Sequence, residues 1–240
     1  MVEVVAIVEG PTEQTFVRDV LAGHLSLHGV AIWAVLSGKS RKHGGVKKWE
    51  SARNDIVRTL KEGRYCTTMF DFYGMPQDWP GRAQAISLPW RERSVHVEAD
   101  LLADVTAQFD SGYDPRRFVP YVQLHEFEAL VFADVAVLAD SATAVSNRLA
   151  EALARSMQAI VDEAGDPEAI DDGYETCPSR RIMKLVPGYR KPALGPIVAQ
   201  RIGLMVLREK CNHFAAWLSK LERLGSLESA PVTTPPDHRP

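Results

Sequence analysis

The sequence predicts an α/β fold, a doubly wound and mainly parallel sheet followed by a C-terminal helical subdomain. Nearly continuous apolar runs at residues 2–8, 30–36, 65–70 and 118–124 indicate strands that are covered on both faces. Amphipathic helical segments separate these runs, and strands that alternate with helices are typical of parallel sheets. From about Glu128 the strand signal fades and helical patterns take over.

The punctuation between the strands supports this order of elements. Pro11, which is favourable in the first turn of a helix, begins a helix predicted over 12–27, and Gly29 ends it. A further helix is predicted over 95–109. The intervening segment 74–93 is rich in proline and tryptophan and is predicted to be a long irregular loop, a kind of segment that often carries function.

The second half of the chain is predicted to be helical, with helices over 143–163, 197–206 and 209–224. Its tail is rich in serine, threonine and proline, which predicts disorder. The predicted division is therefore an α/β domain over 1–135, a basic helical subdomain over 136–224 and a disordered tail over 225–240.

Composition predicts a soluble cytoplasmic protein. The net charge is −3, so any binding of nucleic acid must use local basic patches. The three cysteines form no C-x-x-C motif, which fits a reducing compartment. Val2 already begins a strand, so no leader is expected, and no apolar run reaches the roughly 20 residues of a membrane span.

Carboxylates follow three of the predicted strands. Glu9 and Glu13 come after the first, Asp71 closes the third, and Glu126 and Glu128 follow the fourth. Parallel strands share one carboxyl edge, where ligands bind, so these acids can converge. Converged carboxylates repel each other, and their oxygens suit a hard cation such as Mg²⁺ or Mn²⁺. The pattern predicts a metal site formed by these acids.

Each acid also has a structural interpretation that the sequence leaves open. Carboxylates are favourable at a helix N-terminus, where Glu9 and Glu13 fall. Asp71 could be a turn residue, and Glu126 and Glu128 could begin a solvated helix.

Two basic segments are candidate contacts for the phosphates of DNA or RNA. A solvated surface explains the first, over 39–48, about as well, whereas the second follows an acidic run and predicts a surface that faces an anion. The residues concerned are Lys39, Arg41, Lys42, Lys47, Lys48, Arg180, Arg181, Lys184, Arg190 and Lys191.

Other chemistries have weaker support. His24 and His28 are four residues apart on a predicted helix, but no third metal ligand is near them in the sequence, which favours a surface pair. The sequence has no G-x-S-x-G, no G-x-x-x-x-G-K-[ST] and no G-x-G-x-x-G motif, which argues against serine hydrolase, ATPase and dinucleotide redox activities.

Several motifs resemble known families. The segment Glu9-Gly10-Pro11-Thr12-Glu13 is similar to the first motif of TOPRIM domains, especially those of the overcoming-lysogenization-defect (OLD) type nucleases. A second resemblance, over about residues 3–224, is to the bacterial domain of unknown function numbered 4276. It is carried by His125-Glu126-Phe127-Glu128-Ala129-Leu130, Pro178-Ser179-Arg180-Arg181-Ile182, Pro187-Gly188-Tyr189-Arg190-Lys191 and Cys211-Asn212-His213-Phe214 with Trp217-Leu218.

The resemblance implies a TOPRIM-like fold and roles for individual residues. Glu9 matches the TOPRIM glutamate of acid/base or metal function, Glu13 the second glutamate of the OLD-type loop, and Asp71 the first aspartate of an Asp-x-Asp pair. Tyr73 stands at the second position of that pair, which removes one metal ligand. Glu126 or Glu128, at the next strand end, could replace that ligand. The resemblance also implies a partner ATPase and a place in a phage-defence system.

Three functions are consistent with these observations. The first is Mg²⁺-dependent cleavage of phosphodiester bonds in nucleic acid, which the acids at three strand ends favour. The second is a non-catalytic TOPRIM-like module that docks onto a partner, which Tyr73 favours. The third is an enzyme of another kind that acts on a phosphate ligand.

Overall fold

The computed structural model describes residues 1–38, 48–145, 149–170 and 173–227. Among these residues the sheet contains five strands: β1 (Val2–Val8), β2 (Val30–Leu36), β3 (Tyr65–Asp71), β4 (Phe118–Val119) and β5 (Val122–Gln123). The strand order is β2-β1-β3-β4, β5 pairs with β3 farther along, and all pairings are parallel. The predicted α/β fold with a mainly parallel sheet is confirmed.

Helices of the described residues flank this sheet. They are α1 (Pro11–Phe16), α2 (Ala22–Ser26), α3 (Trp49–Lys61), α4 (Arg82–Ala85), α5 (Trp90–Thr106), α6 (Glu128–Val131), α7 (Val135–Ala142), α8 (Ala150–Ala164), α9 (Pro178–Leu185), α10 (Lys191–Ile202), α11 (Leu204–Lys210) and α12 (Asn212–Leu227). A π-helical turn, Val17–Leu21, joins α1 to α2, so the helix predicted over 12–27 is present with a changed winding in its middle. None of the described helices has the length and apolar character needed to cross a membrane.

Both faces of the sheet are covered, which explains why the strands are mainly apolar. In β1, Val4, Ala6 and Val8 pack into one apolar cluster, whereas Val5 and Ile7 pack into another. Side chains from α1, α2 and the C-terminal helices complete the first cluster. Side chains from α3 and α5 complete the second. Successive residues of a strand point to opposite faces, so a strand between two helical layers has no solvent face.

The C-terminal helices share a core with the sheet. Phe214, Trp217 and Leu221 of α12 are buried in the same cluster as Val4 of β1 and Phe16 of α1. The division of the chain at residue 135 stays a prediction. In the predicted disordered tail, residues 225–227 belong to α12, and the rest lies outside the described residues.

The strand predicted over 118–124 is interrupted at Pro120 and Tyr121. Proline has no N–H to give to a neighbouring strand, so a regular ladder cannot pass through it. The Thr68 side chain of β3 fills the gap, because its Oγ1 accepts a hydrogen bond from Tyr121 N and donates one to Tyr121 O, both at 2.9 Å. β4 and β5 are therefore two halves of one strand.

The free edge of β5 is closed by the buried side chain of Glu98 and the partly buried side chain of His213. Val122 N donates to Glu98 Oε1 of α5 at 2.8 Å, and His213 Nε2 of α12 lies 3.1 Å from Val122 O and 2.9 Å from Glu98 Oε1. Burial lowers the pKa of His213, but Glu98 outweighs this effect and the pKa is raised. The closed edge holds β5 in place, and β5 leads directly to Glu126.

Several predicted helix boundaries are wrong. The segment 74–93, predicted to be irregular, contains α4 and the start of α5, and its Trp79 is buried against Trp49 at a ring distance of 5.1 Å. The single helix predicted over 197–206 is divided by Gly203, whose φ of 81° lies outside the helical region. In both places tertiary packing or backbone conformation overrides the local helical pattern.

Candidate functional site

The predicted acids meet in a crevice at the carboxyl edge of the sheet. The chain leaves β1 toward β2 on one side and later places β3 on the other, so the strand order reverses between β1 and β3. Such a reversal opens a crevice that commonly binds ligands. Val8 pairs with Met69 in the parallel register, which puts Glu9 and Asp71 on the same edge.

Glu9 is held against the end of β3. Asp71 N donates a hydrogen bond to Glu9 Oε2 at 3.2 Å. On the other side, a Cβ atom at Gly74 would lie 3.3 Å from Glu9 Oε1, so the absence of a side chain at Gly74 leaves room for the carboxylate. Burial raises the pKa of Glu9, although the Asp71 N–H and Lys191 oppose this effect.

Glu13 occupies the third position of α1, behind Glu9. The helix begins at Pro11 after the extended Gly10, and Glu13 is buried at 6% exposure. Burial raises the pKa of Glu13 to about 7, the charges of Glu9 and Glu128 add to the rise, and the backbone N–H groups of Glu13 and Gly10 oppose it. Glu13 therefore lies in the first turn of α1, and its carboxylate interacts electrostatically with the other acids of the crevice.

Glu126 and Glu128 reach the crevice through a sharp turn after β5. His125, at a φ of 62°, is the one non-glycine residue with positive φ among the described residues. Lys191 of α10 lies between the two glutamates, with Nζ 2.8 Å from Glu126 Oε1 and 3.1 Å from Glu128 Oε2. Ser179 N, in the first turn of α9, donates to Glu126 Oε2 at 2.9 Å.

These contacts give the two glutamates opposite pKa shifts. Burial raises the pKa of Glu126, but Lys191 and Ser179 outweigh it and the pKa is lowered. Burial also raises the pKa of Glu128, and in this case Lys191 does not compensate. Burial, followed by the charges of Glu9 and Glu13, raises the pKa of Asp71 well above its usual range. The crevice therefore holds more carboxylates than its lysine can neutralise.

The oxygen atoms of the crevice suit a hard divalent cation. Asp71 Oδ1 and Glu128 Oε1 are buried and have no hydrogen-bond partner within the described parts of the chain. A buried carboxylate oxygen without a partner is unfavourable, and a cation would satisfy it. In the described ranges no three acids of the crevice bring one oxygen each within 4.8 Å of one another, which is consistent with the mutual repulsion of carboxylates.

Tyr73 lies at the rim, where the resemblance places the second acid of an Asp-x-Asp pair. Its N–H donates to His125 O at 2.9 Å, which fixes the loop after β3 to the turn after β5. Burial raises the pKa of its hydroxyl, and the neighbouring Cys177 and Glu126 add to the rise, whereas Arg180 opposes it. Glu128 carries a buried carboxylate into the same crevice from the next strand end.

Four of the basic candidates make contacts of three kinds. Lys191 contacts the acids of the crevice, as described above. Arg180 lies near Tyr73 and stacks on the exposed Tyr174 ring at 4.5 Å, and its Nη2 donates to the Tyr174 hydroxyl at 2.7 Å. Arg181 and Lys184 instead form ion pairs with Glu163 and Glu175, at 2.7 and 2.9 Å.

The remaining candidates are exposed or lie outside the described residues. Arg190 is exposed and immediately precedes α10, and Lys48 is exposed and immediately precedes α3. Outside the described residues are Lys39, Arg41, Lys42 and Lys47.

Sequence reasoning missed three features of the crevice. It assigned Lys191 to phosphate and not to Glu126 and Glu128, and it gave no role to Ser179 or Gly74. Pro178 marks the start of a helix and could have indicated exposed N–H groups at Ser179. No local signal connects any of these residues to the acids, because the partners are more than 50 residues apart along the chain in each case.

Solved structures similar to this chain are C-terminal regions of OLD proteins. Two structures of this region from Xanthomonas campestris pv. campestris share 16% and 14% identity with the chain, at TM-scores of 0.46 and 0.48. Each match covers 95% of this chain, and 97% and 98% of the other. The C-terminal region of the Burkholderia pseudomallei OLD protein shares 14% identity at a TM-score of 0.47, over 93% of this chain and 98% of that one. No curated protein matches the sequence.

A family model covers most of the chain. The model of the Domain of unknown function (DUF4276) matches residues 8–222. This range begins at the end of β1 and ends within α12, so it includes the crevice and the helices that complete it. The chain belongs to the DUF4276 family.

Proposed function

We propose that this protein is a TOPRIM-like nuclease that uses Mg²⁺ or Mn²⁺ to cleave phosphodiester bonds in DNA or RNA. The observation that carries the proposal is the convergence of Glu9, Asp71 and Glu128, all with raised pKa values, at the reversal of strand order. Perturbed carboxylates that meet in a crevice are typical of catalytic sites.

The residues that would hold the cation are Glu9, Glu13, Asp71, Glu126 and Glu128. A hard divalent cation supplies positive charge beside the scissile phosphate and makes water more acidic. The buried Asp71 Oδ1 and Glu128 Oε1 are ligand atoms that the fold already orients inward. Glu126 has the lowered pKa of an ionised carboxylate, so it provides negative charge without first losing a proton at neutral pH.

Glu9 and Glu13 are the groups of this chain suited to move protons. Hydrolysis forms a bond between a water oxygen and phosphorus and breaks the bond from phosphorus to one ester oxygen. The water proton must pass to a base, and the leaving oxygen must gain a proton. In the chain without a cation, burial raises the pKa of Glu13 to about 7, a value suited to proton exchange near neutral pH, and Glu9 accepts a hydrogen bond from Asp71 N at the end of β3.

Basic residues at the rim would hold the phosphate backbone. Arg180 is the best placed, because it lies next to Tyr73 and presents its guanidinium together with the exposed Tyr174 ring. Such a pair can contact a phosphate and stack on a base. The exposed Arg190 and Lys48 would extend this surface, whereas Arg181 and Lys184 bind their own acids.

The decisive experiment is a cleavage assay with matched variants. Purified protein is incubated with supercoiled plasmid, single-stranded DNA and RNA in Mg²⁺ or Mn²⁺. Glu9→Gln and Asp71→Asn should each reduce the rate by about 100-fold or more. Glu3→Gln changes an exposed glutamate of the same β1 strand and should leave the rate unchanged.

The assay has an outcome that contradicts the proposal. Cleavage that survives Glu9→Gln and Asp71→Asn, in protein whose circular dichroism matches the parent, would mean that these acids are not catalytic. Complete absence of cleavage of all three substrates in both metals, by folded protein, would favour the second candidate.

That second candidate is a non-catalytic TOPRIM-like module that docks onto a partner ATPase in a phage-defence system. The observation in its favour is Lys191, which neutralises part of the acidic cluster from within the chain. Tyr73 at a ligand position points the same way. Under this proposal calorimetry detects no Mg²⁺ or Mn²⁺ binding at millimolar concentrations, whereas a nuclease must bind one of them.

A further inference from the structure

A second cluster of metal-ligating side chains lies away from the acidic crevice. His24 of α2 and His28, in the turn that follows, meet Glu222 of α12. One ligand atom from each of the three residues lies within 4.8 Å of the other two, and within the described ranges no other group of three His, Cys, Asp or Glu residues meets this criterion. Because Glu222 is nearly 200 residues away in sequence, the histidine pair has a third ligand that its sequence neighbourhood does not reveal.

The distances are close to those of a tetrahedral transition-metal site. His24 Nε2 lies 2.6 Å from Glu222 Oε1, and His28 Nε2 lies 3.9 Å from the same oxygen. With metal–ligand bonds near 2.1 Å, tetrahedral ligands are roughly 3.4 Å apart. Side-chain shifts below about 1 Å would therefore bring both pairs to the required separation, and the two imidazole rings are already adjacent, with centroids 4.9 Å apart.

The backbone around the cluster is closely packed, which limits how far the ligands can separate. Gly225 of α12 lies directly against the turn, since a Cβ atom at this position would be 1.8 Å from His28 O. The same turn leads into β2 at Val30. Gly29, at a φ of 76°, ends the turn, and its carbonyl oxygen accepts a hydrogen bond from Val2 N of β1. The three ligands are thus held by elements whose backbones touch.

Arg208 orients the carboxylate. Its Nη1 donates to Glu222 Oε1, the oxygen that His24 also contacts, and its Nη2 donates to Ser219 Oγ at 3.0 Å, so Arg208 limits the movement of the Glu222 carboxylate. Burial raises the pKa of Glu222, but the hydrogen bonds from His24 and Arg208 outweigh it and lower the pKa. A hydrogen-bonded carboxylate is the usual form of a carboxylate metal ligand.

We propose that His24, His28 and Glu222 form a binding site for a transition-metal dication of the Zn²⁺ class, with one coordination position left to solvent. Two imidazole nitrogens and one carboxylate oxygen match this class and do not match Mg²⁺, which prefers oxygen ligands. The bound ion would link the turn before β2 to α12. It would thereby fasten the last described helix to the sheet, independently of the chemistry of the acidic crevice.

The test is a titration of the full chain with Zn²⁺ in the presence of millimolar Mg²⁺. The parent protein should bind one Zn²⁺ that His24→Ala combined with His28→Ala removes, and Glu222→Gln should weaken this binding by about tenfold or more. His96→Ala is the matched control, because His96 lies 3.8 Å from Asp100, four residues away, and belongs to no group of three metal-ligating residues in the described ranges. Glu9→Gln should retain the site, which separates it from the crevice.

Co²⁺ absorption and histidine modification test the site further. Co²⁺ in place of Zn²⁺ should give the visible absorption of a four-coordinate nitrogen and oxygen site in the parent and not in the double histidine variant. If that variant does not fold, chemical modification of the parent histidines decides the question, because Zn²⁺ should protect His24 and His28 from diethyl pyrocarbonate. Equal Zn²⁺ binding by the parent and folded variants, or equal modification with and without Zn²⁺, would overturn the proposal.

Discussion

Glu13 gives a sharp prediction, because its burial links the acidic crevice to the stability of the fold. An acid with a raised pKa binds its proton more tightly in the folded chain than in the unfolded chain. The contribution of the protonated Glu13 to the free energy of unfolding is therefore fully present below pH 4.5. This contribution is lost as the pH rises to about 7. A rise from 4.5 to about 7 corresponds to about 3 kcal/mol of unfolding free energy above pH 7.

The corresponding variant is Glu13→Gln, which keeps the size of the side chain and removes its charge. We expect the variant and the parent to have similar unfolding free energies at pH 4, where the parent carboxyl is protonated. At pH 8 the variant should be more stable by as much as about 3 kcal/mol, since it also relieves repulsion with Glu9 and Asp71. Urea unfolding followed by circular dichroism at pH 4, 6 and 8, with a chelator present, measures this difference.

Glu151→Gln is the matched control, because Glu151 also lies in the first turn of a helix, α8, but is almost fully exposed. It should change stability by less than about 0.5 kcal/mol at every pH. A Glu13→Gln variant that is less stable than the parent at pH 8, or that differs from it equally at all three pH values, would refute this reasoning. The role of Glu13 would then be the capping of α1 alone. Saturating Mg²⁺ should reduce the difference at pH 8 if the crevice binds it.

Three further substitutions test individual contacts. Lys191→Met leaves two buried glutamates without their cation and should destabilise the fold by roughly 2–4 kcal/mol in thermal or urea unfolding, whereas Lys184→Met, at an exposed pair, should cost less than about 1 kcal/mol. Thr68→Val removes the hydroxyl that bridges the interruption between β4 and β5, and a loss of about 1–3 kcal/mol in urea unfolding is expected; a neutral result would mean that water serves as well. Gly74→Ala introduces a Cβ atom 3.3 Å from the Glu9 carboxylate, so the affinity for Mg²⁺, measured by calorimetry, should fall. Gly23→Ala, which meets no atom within 4 Å among the described residues, should leave it unchanged, and equal affinities in the two variants would contradict the role of Gly74.

The position of the crevice could be predicted from sequence because it depends on local signals. The strand before Glu9 and the strand that ends at Asp71 are mainly apolar, and a glycine follows each acid within three residues. Once parallel pairing is inferred from the alternation of strands and helices, both acids must lie on one edge. The register of β1 and β3 places them there.

The contacts that set the charges of the crevice could not be predicted in this way. Lys191 is 65 residues from Glu126, and their contact depends on how α10 packs against the turn after β5. The left-handed conformation of His125 is likewise imposed by its surroundings, since a histidine has no strong preference for it. Pro120 predicts an interruption of the strand from sequence alone. The hydrogen bonds of the Thr68 hydroxyl to Tyr121 could not be predicted, because they depend on how β3 lies beside the interruption.

The raised pKa values of the buried acids distinguish a catalytic role from a capping role. A cap needs one carboxylate near the helix N-terminus, and a solvent-exposed acid serves that purpose without a raised pKa. Around β1, β3 and β5 the chain instead buries several acids whose folded-state pKa values are raised, which destabilises the fold at neutral pH. Apolar side chains of similar size at these positions would remove that cost. The proposed function accounts for buried acids that work against stability and converge at the reversal of strand order, because a divalent cation would offset their charge.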